Sequence, residues 1–134
     1  MKLLTALAAL GLLTALPAHA GDPAAGERAW NQCRACHMIV DGDNVIQRGP
    51  ATGPNLYGIV GRPAGAQEDF RYGTGLTTAA EKGLVWTPEN LAKYLENPAG
   101  FLTEFNGARA QSNMAFRLRR GADDLVAYLE SVAN

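Results

Sequence analysis

The sequence predicts an all-α fold, a small shell of short helices joined by glycine- and proline-rich loops. Three observations predict it. Apolar residues recur at helical spacing behind capping residues in three separate stretches. The stretch from Asp41 to Gly61 holds five glycines and two prolines, with no period of two sustained long enough for a strand. Finally, the pentapeptide Cys33-Arg34-Ala35-Cys36-His37 follows directly on the first helical stretch, so its two thiols and its imidazole should share one face.

The elements follow in order. Met1 and Lys2 open the chain, Leu3 to Leu16 is an apolar run, and Pro17-Ala18-His19-Ala20 ends in an Ala-x-Ala cleavage pattern. This reads as a secretory signal peptide over 1–20, too short to span a membrane, and leaves one domain over 21–134. Asp22 can cap a helix opened by Pro23, with Gly26, Ala29, Trp30 and Cys33 as its stripe. A short helix is expected over Thr77–Lys82. Thr87 caps the next, with Pro88 first, Glu89 in its first turn, and Leu91, Tyr94 and Leu95 on its apolar face. Pro98 stops that helix near Asn97. Another is expected near Ala99–Phe105. The last runs from about Asp123 to Val132, acidic at its start, with Leu125, Tyr128, Leu129 and Val132 buried. Gly26 and Trp30 should meet Leu125 and Tyr128 where the first and last helices cross.

Two cysteines three apart followed by histidine is the attachment spacing of a c-type haem. Thiols at i and i+3 can bond the two vinyl groups of one porphyrin, and the histidine can place a nitrogen on the iron. Loss of the signal peptide removes Lys2 and leaves 11 of the 12 basic side chains against 13 acidic ones. The formal charge moves from −1 to −2, which gives no reason to propose nucleic acid as a partner. It also removes His19 and Met1, so His37 becomes the only histidine and bis-histidine ligation within one subunit is impossible. Met38 adjoins His37 and cannot reach the opposite side of the same iron. Met114 remains as the thioether candidate, the alternative being that it only fills the core. Thioether with imidazole is the electron-transfer pairing, and it raises the potential relative to harder ligands.

Further motifs accompany the haem motif: Gly26-Glu27-Arg28-Ala29-Trp30, Thr52-Gly53-Pro54-Asn55-Leu56-Tyr57-Gly58, Gly61-Arg62, Trp86-Thr87, Tyr94-Leu95-Glu96-Asn97-Pro98, Met114-Ala115-Phe116 and Leu125-Val126-Ala127-Tyr128-Leu129. Together they closely resemble the class I c-type cytochromes, in particular the bacterial cytochrome c2 and c550 group, over essentially the whole of 21–134. The loops at Ile39–Ala51 and Thr103–Asn113 look like the bacterial c2 type. The resemblance implies a small cytochrome c fold, helices and Gly/Pro-rich loops wrapped around one haem c held by two thioethers at Cys33 and Cys36. It implies axial His37 and Met114, a Pro54 carbonyl accepting from the other ring nitrogen of His37, and Tyr94 beside the Met114 sulfur. It further implies that Arg62, Tyr72 and Trp86 hold the propionates, that Ser112 replaces a common threonine, and that Phe116 packs at the haem edge. Leu76 departs from the pattern, standing where an asparagine near the propionates is frequent.

The function implied is a periplasmic, monomeric, one-haem electron carrier and not an enzyme. The implied donor is a cytochrome bc1 complex, and the acceptor a photosynthetic reaction centre or a terminal oxidase. Arg34, Arg109, Arg117, Arg119 and Arg120 fall in segments expected around the haem edge and should form a basic docking face, the alternative for any one of them being a solvated surface charge. Competing readings are a haem enzyme or gas sensor with a labile sixth ligand, and a thiol–disulfide oxidoreductase using Cys33 and Cys36. A zinc site is weaker, because three candidate ligands leave the usual four-coordinate set incomplete. Peroxidatic chemistry would favour a distal acid–base group, yet 21–134 holds no second histidine. The oxidoreductase motif normally opens a helix after a strand, whereas Asp22–Gln32 is itself helical in pattern.

Overall fold

The computed structural model describes residues 21–134, and the expected signal peptide lies outside the described residues. Helix α1 spans Pro23–Ala29. Asp22 caps it by accepting from Ala24 N at 3.0 Å, and Pro23 loses nothing at a position where its N–H would have no partner. The stripe does not continue as α-helix into the cysteines. It tightens to a 3-10 turn at Trp30–Gln32 and then to successive turns, with Cys36 N bonded to Cys33 O and His37 N to the same carbonyl, both at 3.0 Å. Such tightening satisfies carbonyls that a helix end leaves unpaired.

Helix α2 spans Thr74–Glu81, α3 Pro88–Glu96, α4 Pro98–Asn106 and α5 Ala122–Ser131. Three of these match the sequence expectation to within a residue or so at each end. Helix α2 starts three residues before the expected Thr77. Its first turn includes Gly75, where a Cβ would lie 2.2 Å from the Gln111 carbonyl oxygen. Glycine is there for close approach and not as a breaker. Asn97 serves two helices: it ends α3 and caps α4, its Oδ1 accepting Gly100 N at 3.1 Å. Thr87 caps α3 through Asn90 N at 3.1 Å. Among the described residues no helix is long and apolar enough to cross a membrane.

The expectation that the chain after Asp41 forms no strand is corrected. A two-stranded antiparallel hairpin pairs β1, Ile39–Asp41, with β2, Asn44–Gln47, around Gly42 at φ +56°. The strands are too short for alternation to register, but Gly42-Asp43, with glycine first in a two-residue loop between valines, is a hairpin signal in its own right. The Gln47 amide fastens the hairpin to α5 by donating to the Tyr128 hydroxyl at 2.8 Å. A second extended pairing holds the loops together: Gly61 N bonds Trp86 O at 2.7 Å, and Trp86 N bonds Arg62 O at 2.9 Å.

Helices α1 and α5 cross as expected, and the crossing is set by Gly26. A Cβ there would stand 2.0 Å from the Asp124 carbonyl oxygen and 2.7 Å from Tyr128 Cβ. Trp30, Leu125, Val126 and Leu129 are almost wholly buried around it. Beneath α3 and α4 runs an aromatic row in which Trp86 and Tyr94 lie 4.8 Å apart and Tyr94 meets Phe101 edge-on at 6.1 Å. Helix propensity alone favours alanine over glycine by about 1 kcal/mol. The backbone overlap at Gly26 outweighs that, so Gly26→Ala should destabilise the fold by roughly 2 kcal/mol. Urea unfolding of the holoprotein checks this, with a lower midpoint as the expected result.

Candidate haem site

The site is built outward from His37, which is buried. Backbone bonds from Gly53 N to Cys36 O at 2.7 Å and from Leu56 N to Met38 O at 3.0 Å lay the 53–56 segment along the haem motif. That places the Pro54 carbonyl 2.8 Å from His37 Nδ1. A carbonyl can only accept, so Nδ1 carries the proton and Nε2 keeps its lone pair. Burial pushes the His37 pKa below its ordinary value, and the Pro54 bond opposes this more weakly. A neutral imidazole is the form a metal requires. Gly53 makes the approach possible, since a Cβ there would lie 2.3 Å from His37 Cε1.

Cys33 is buried and Cys36 exposed. Burial, followed by repulsion from Cys36, pushes the Cys33 thiol up to about 11. A catalytic thiol of an oxidoreductase is shifted the other way, towards the thiolate. The geometry therefore disfavours the thiol–disulfide reading.

The candidates named from sequence converge. Cys33, Cys36, His37, Pro54, Arg62, Tyr72, Trp86, Tyr94, Ser112, Met114 and Phe116 all line one cavity of about 410 Å³. Arg62 is held in its wall by Asn55 O at 3.0 Å and Tyr57 O at 3.2 Å. Its partial burial lowers its pKa, with Tyr72 acting in the opposite sense, yet a guanidinium stays charged. Tyr72 packs edge-on against Phe70 at 4.9 Å, and its hydroxyl accepts Gln67 N at 3.1 Å. The Tyr94 hydroxyl, expected at the Met114 sulfur, bonds Ser112 Oγ at 3.3 Å. That same oxygen accepts Met114 N at 3.2 Å, so tyrosine and methionine are joined through Ser112. Burial raises the Tyr94 pKa, keeping the phenol protonated. Leu76 also lines the cavity.

Sequence reasoning missed part of the wall. Leu91 and Leu95 of α3 and Leu125 and Leu129 of α5 line the cavity too. Their fourfold spacing was visible but reads equally as ordinary helix packing. Phe70 and Asn113 were not singled out, and neither carries a spacing signal.

The residues fit a c-type haem. Two thiols of attachment spacing, a neutral imidazole, a thioether, a half-buried cation and an apolar wall surround one cavity. Fold and site together define a small all-α protein built around a covalently bound haem. No protein-family model matches the chain. Cytochrome c2 of Cereibacter sphaeroides is 49% identical, over 96% of this chain and 94% of its own. Cytochrome c2 of Rhodobacter capsulatus is 43% identical over 96% of each, and cytochrome c-550 of Paracoccus pantotrophus 44% identical over 81% of this chain and 84% of its own. The solved structure of Rhodobacter capsulatus cytochrome c2 superposes with a TM-score of 0.82 at 42% identity, covering 85% of this chain and all of that one. The chain belongs to the bacterial cytochrome c2 and c-550 group of class I c-type cytochromes, haem proteins that carry electrons, and it binds one covalent haem c.

Gly53→Ala tests the His37 geometry. The added methyl should displace the ring and break its bond to Pro54, giving a holoprotein with an altered haem absorption spectrum and a lower melting temperature. An unchanged spectrum would show that the ring position does not depend on Gly53.

Proposed function

We propose that this chain is a periplasmic, monomeric electron carrier between membrane redox complexes, with His37 and Met114 as the axial pair. The observation that carries the reading is the convergence of both side chains on one cavity, with the His37 ring bonded to the Pro54 carbonyl and the Met114 backbone N–H to Ser112 Oγ. The haem, when bound, supplies a reversible one-electron couple at its iron. Everything else is done by the chain. Cys33 and Cys36 tether the group, and Pro54 orients His37 and increases its basicity. Ser112 and Tyr94 hold the Met114 backbone in place. Arg62, Tyr72 and Trp86 supply a cation and donors for two carboxylates that would otherwise be costly to bury. With His37 and Met114 both holding the iron, no position would remain for a substrate, which separates a carrier from a haem enzyme or gas sensor.

The donor is a cytochrome bc1 complex and the acceptor a photosynthetic reaction centre or terminal oxidase. The names of the relatives, cytochrome c2 and cytochrome c-550, support this, as does the export signal expected at 1–20. Phe116, a large apolar side chain, is exposed while also lining the cavity, so it offers an apolar patch beside the haem. Arg34, Arg109, Arg117, Arg119 and Arg120 are all exposed, and Asp123 lies at the start of α5. The small net charge thus conceals a basic region suited to steering an acidic partner.

Met114→Ala should abolish the sulfur-to-iron charge-transfer band, lower the midpoint potential, and let cyanide or carbon monoxide bind. Retention of the band would place the sixth ligand elsewhere. Reversing charge at Arg117 and Arg120 should slow association with an acidic acceptor by roughly tenfold at low salt. The midpoint potential should barely move, and the difference should fade as salt screens the charges. Stopped-flow rates across an ionic-strength series check this, and a wild-type rate indifferent to salt would exclude the electrostatic face.

A further inference from the structure

The peptide unit joining Pro54 to Asn55 is hydrogen-bonded at both ends. Its carbonyl oxygen accepts His37 Nδ1–H at 2.8 Å. Its N–H, which belongs to Asn55, donates to Gln67 Oε1 at 2.9 Å. Resonance makes the carbonyl and the N–H parts of one delocalised group, so polarisation at one end is felt at the other. An acceptor on the N–H drives electron density towards the carbonyl oxygen, which then accepts more strongly from the imidazole.

We propose that Gln67 is a positioning residue that tunes the electron-donor strength of His37 through the Pro54–Asn55 peptide. The inference rests on His37 being an axial ligand. The relay is held rigidly at each step. Gln67 donates its backbone N–H to the Tyr72 hydroxyl at 3.1 Å and its side-chain amide to Asp69 Oδ1 at 3.0 Å, leaving Oε1 directed to Asn55. Asn55 has every polar group engaged. Its Oδ1 accepts from Val40 N at 3.0 Å and Tyr57 N at 3.1 Å, its Nδ2 donates to Val40 O at 2.8 Å, and its carbonyl accepts from Arg62 at 3.0 Å. The peptide therefore cannot rotate to find another partner for its N–H.

The consequence has a sign. A stronger bond at Nδ1 gives the imidazole more anionic character, and a more basic ligand stabilises ferric iron over ferrous. Gln67 accordingly holds the midpoint potential down. Its backbone N–H also bonds the Tyr72 hydroxyl, so one loop residue links the Pro54–Asn55 peptide to Tyr72.

Two holoprotein variants test the relay. Gln67→Met removes the acceptor at similar length, and Gln67→Glu keeps an acceptor and strengthens it. Each is measured by voltammetry and by proton NMR of His37 Nδ1–H in the ferrous state. In Gln67→Met the potential should shift positive and the Nδ1–H resonance upfield; in Gln67→Glu both should shift the opposite way. A Gln67→Met protein that melts earlier yet keeps the wild-type potential and resonance would overturn the proposal, leaving Gln67 as loop packing. A potential that moves in Gln67→Glu while the resonance stays fixed in both variants would also overturn it, since that is through-space charge alone. The ligation reading fails separately, if wild-type His37 ring protons lack the shifts of an iron-bound imidazole.

Discussion

A neutral imidazole must be held still, with one nitrogen protonated and the other free, and most of the loop architecture follows from that requirement. The Pro54 carbonyl meets it by accepting from Nδ1 at 2.8 Å. A proline carbonyl in a loop has no secondary-structure partner to fix it, so the fixing falls to its neighbours. Gly53 lets the backbone reach the ring, Asn55 ties the segment to the hairpin strand, and Arg62 ties it to the segment paired with Trp86. The hairpin β1–β2 is thus more than a surface ornament. Its Val40 supplies two of the three backbone groups that lock the Asn55 side chain, Tyr57 N being the third.

The Met114 side of the cavity is arranged differently. Segment 107–121 has little regular structure, and it is held by side chains from helices. Thr103 of α4 both accepts from Ala110 N and donates to Ala110 O, at 3.0 and 3.3 Å. Tyr94 of α3 reaches Ser112, and Leu118 N bonds Leu95 O at 2.8 Å. Gly75 of α2 admits the Gln111 carbonyl. A loop anchored at several points to three helices keeps Met114 in the cavity wall. The aromatic row under α3 and α4 gives those anchors a stiff base, since large rings packed at about 5–6 Å resist rearrangement.

Much of this was legible beforehand because the chemistry sits on short-range patterns. The Cys-x-x-Cys-His spacing, the Thr87-Pro88 and Asn97-Pro98 helix starts, and the Leu125–Leu129 stripe depend only on residues a turn or two apart. The candidate site residues also line one cavity, because the resemblance supplied a three-dimensional arrangement that spacing could not. What escaped depended on partners far along the chain. The Tyr94 hydroxyl goes to Ser112, 18 residues on, and Gln67 reaches back 12 residues to Asn55. Neither bond leaves a periodic trace.

The sequence by itself determined the tether, the candidate axial pair and the helix caps, since each is a matter of residue type at fixed local spacing. Only the tertiary structure decided that α2 begins at Thr74, that a hairpin forms after His37, and that α3 and α5 turn leucines to the cavity. The reason is the same in each case. A glycine may break a helix or admit a neighbour's carbonyl, and a leucine stripe may pack on a helix or face a cofactor. The choice belongs to whichever distant segment the fold brings against it.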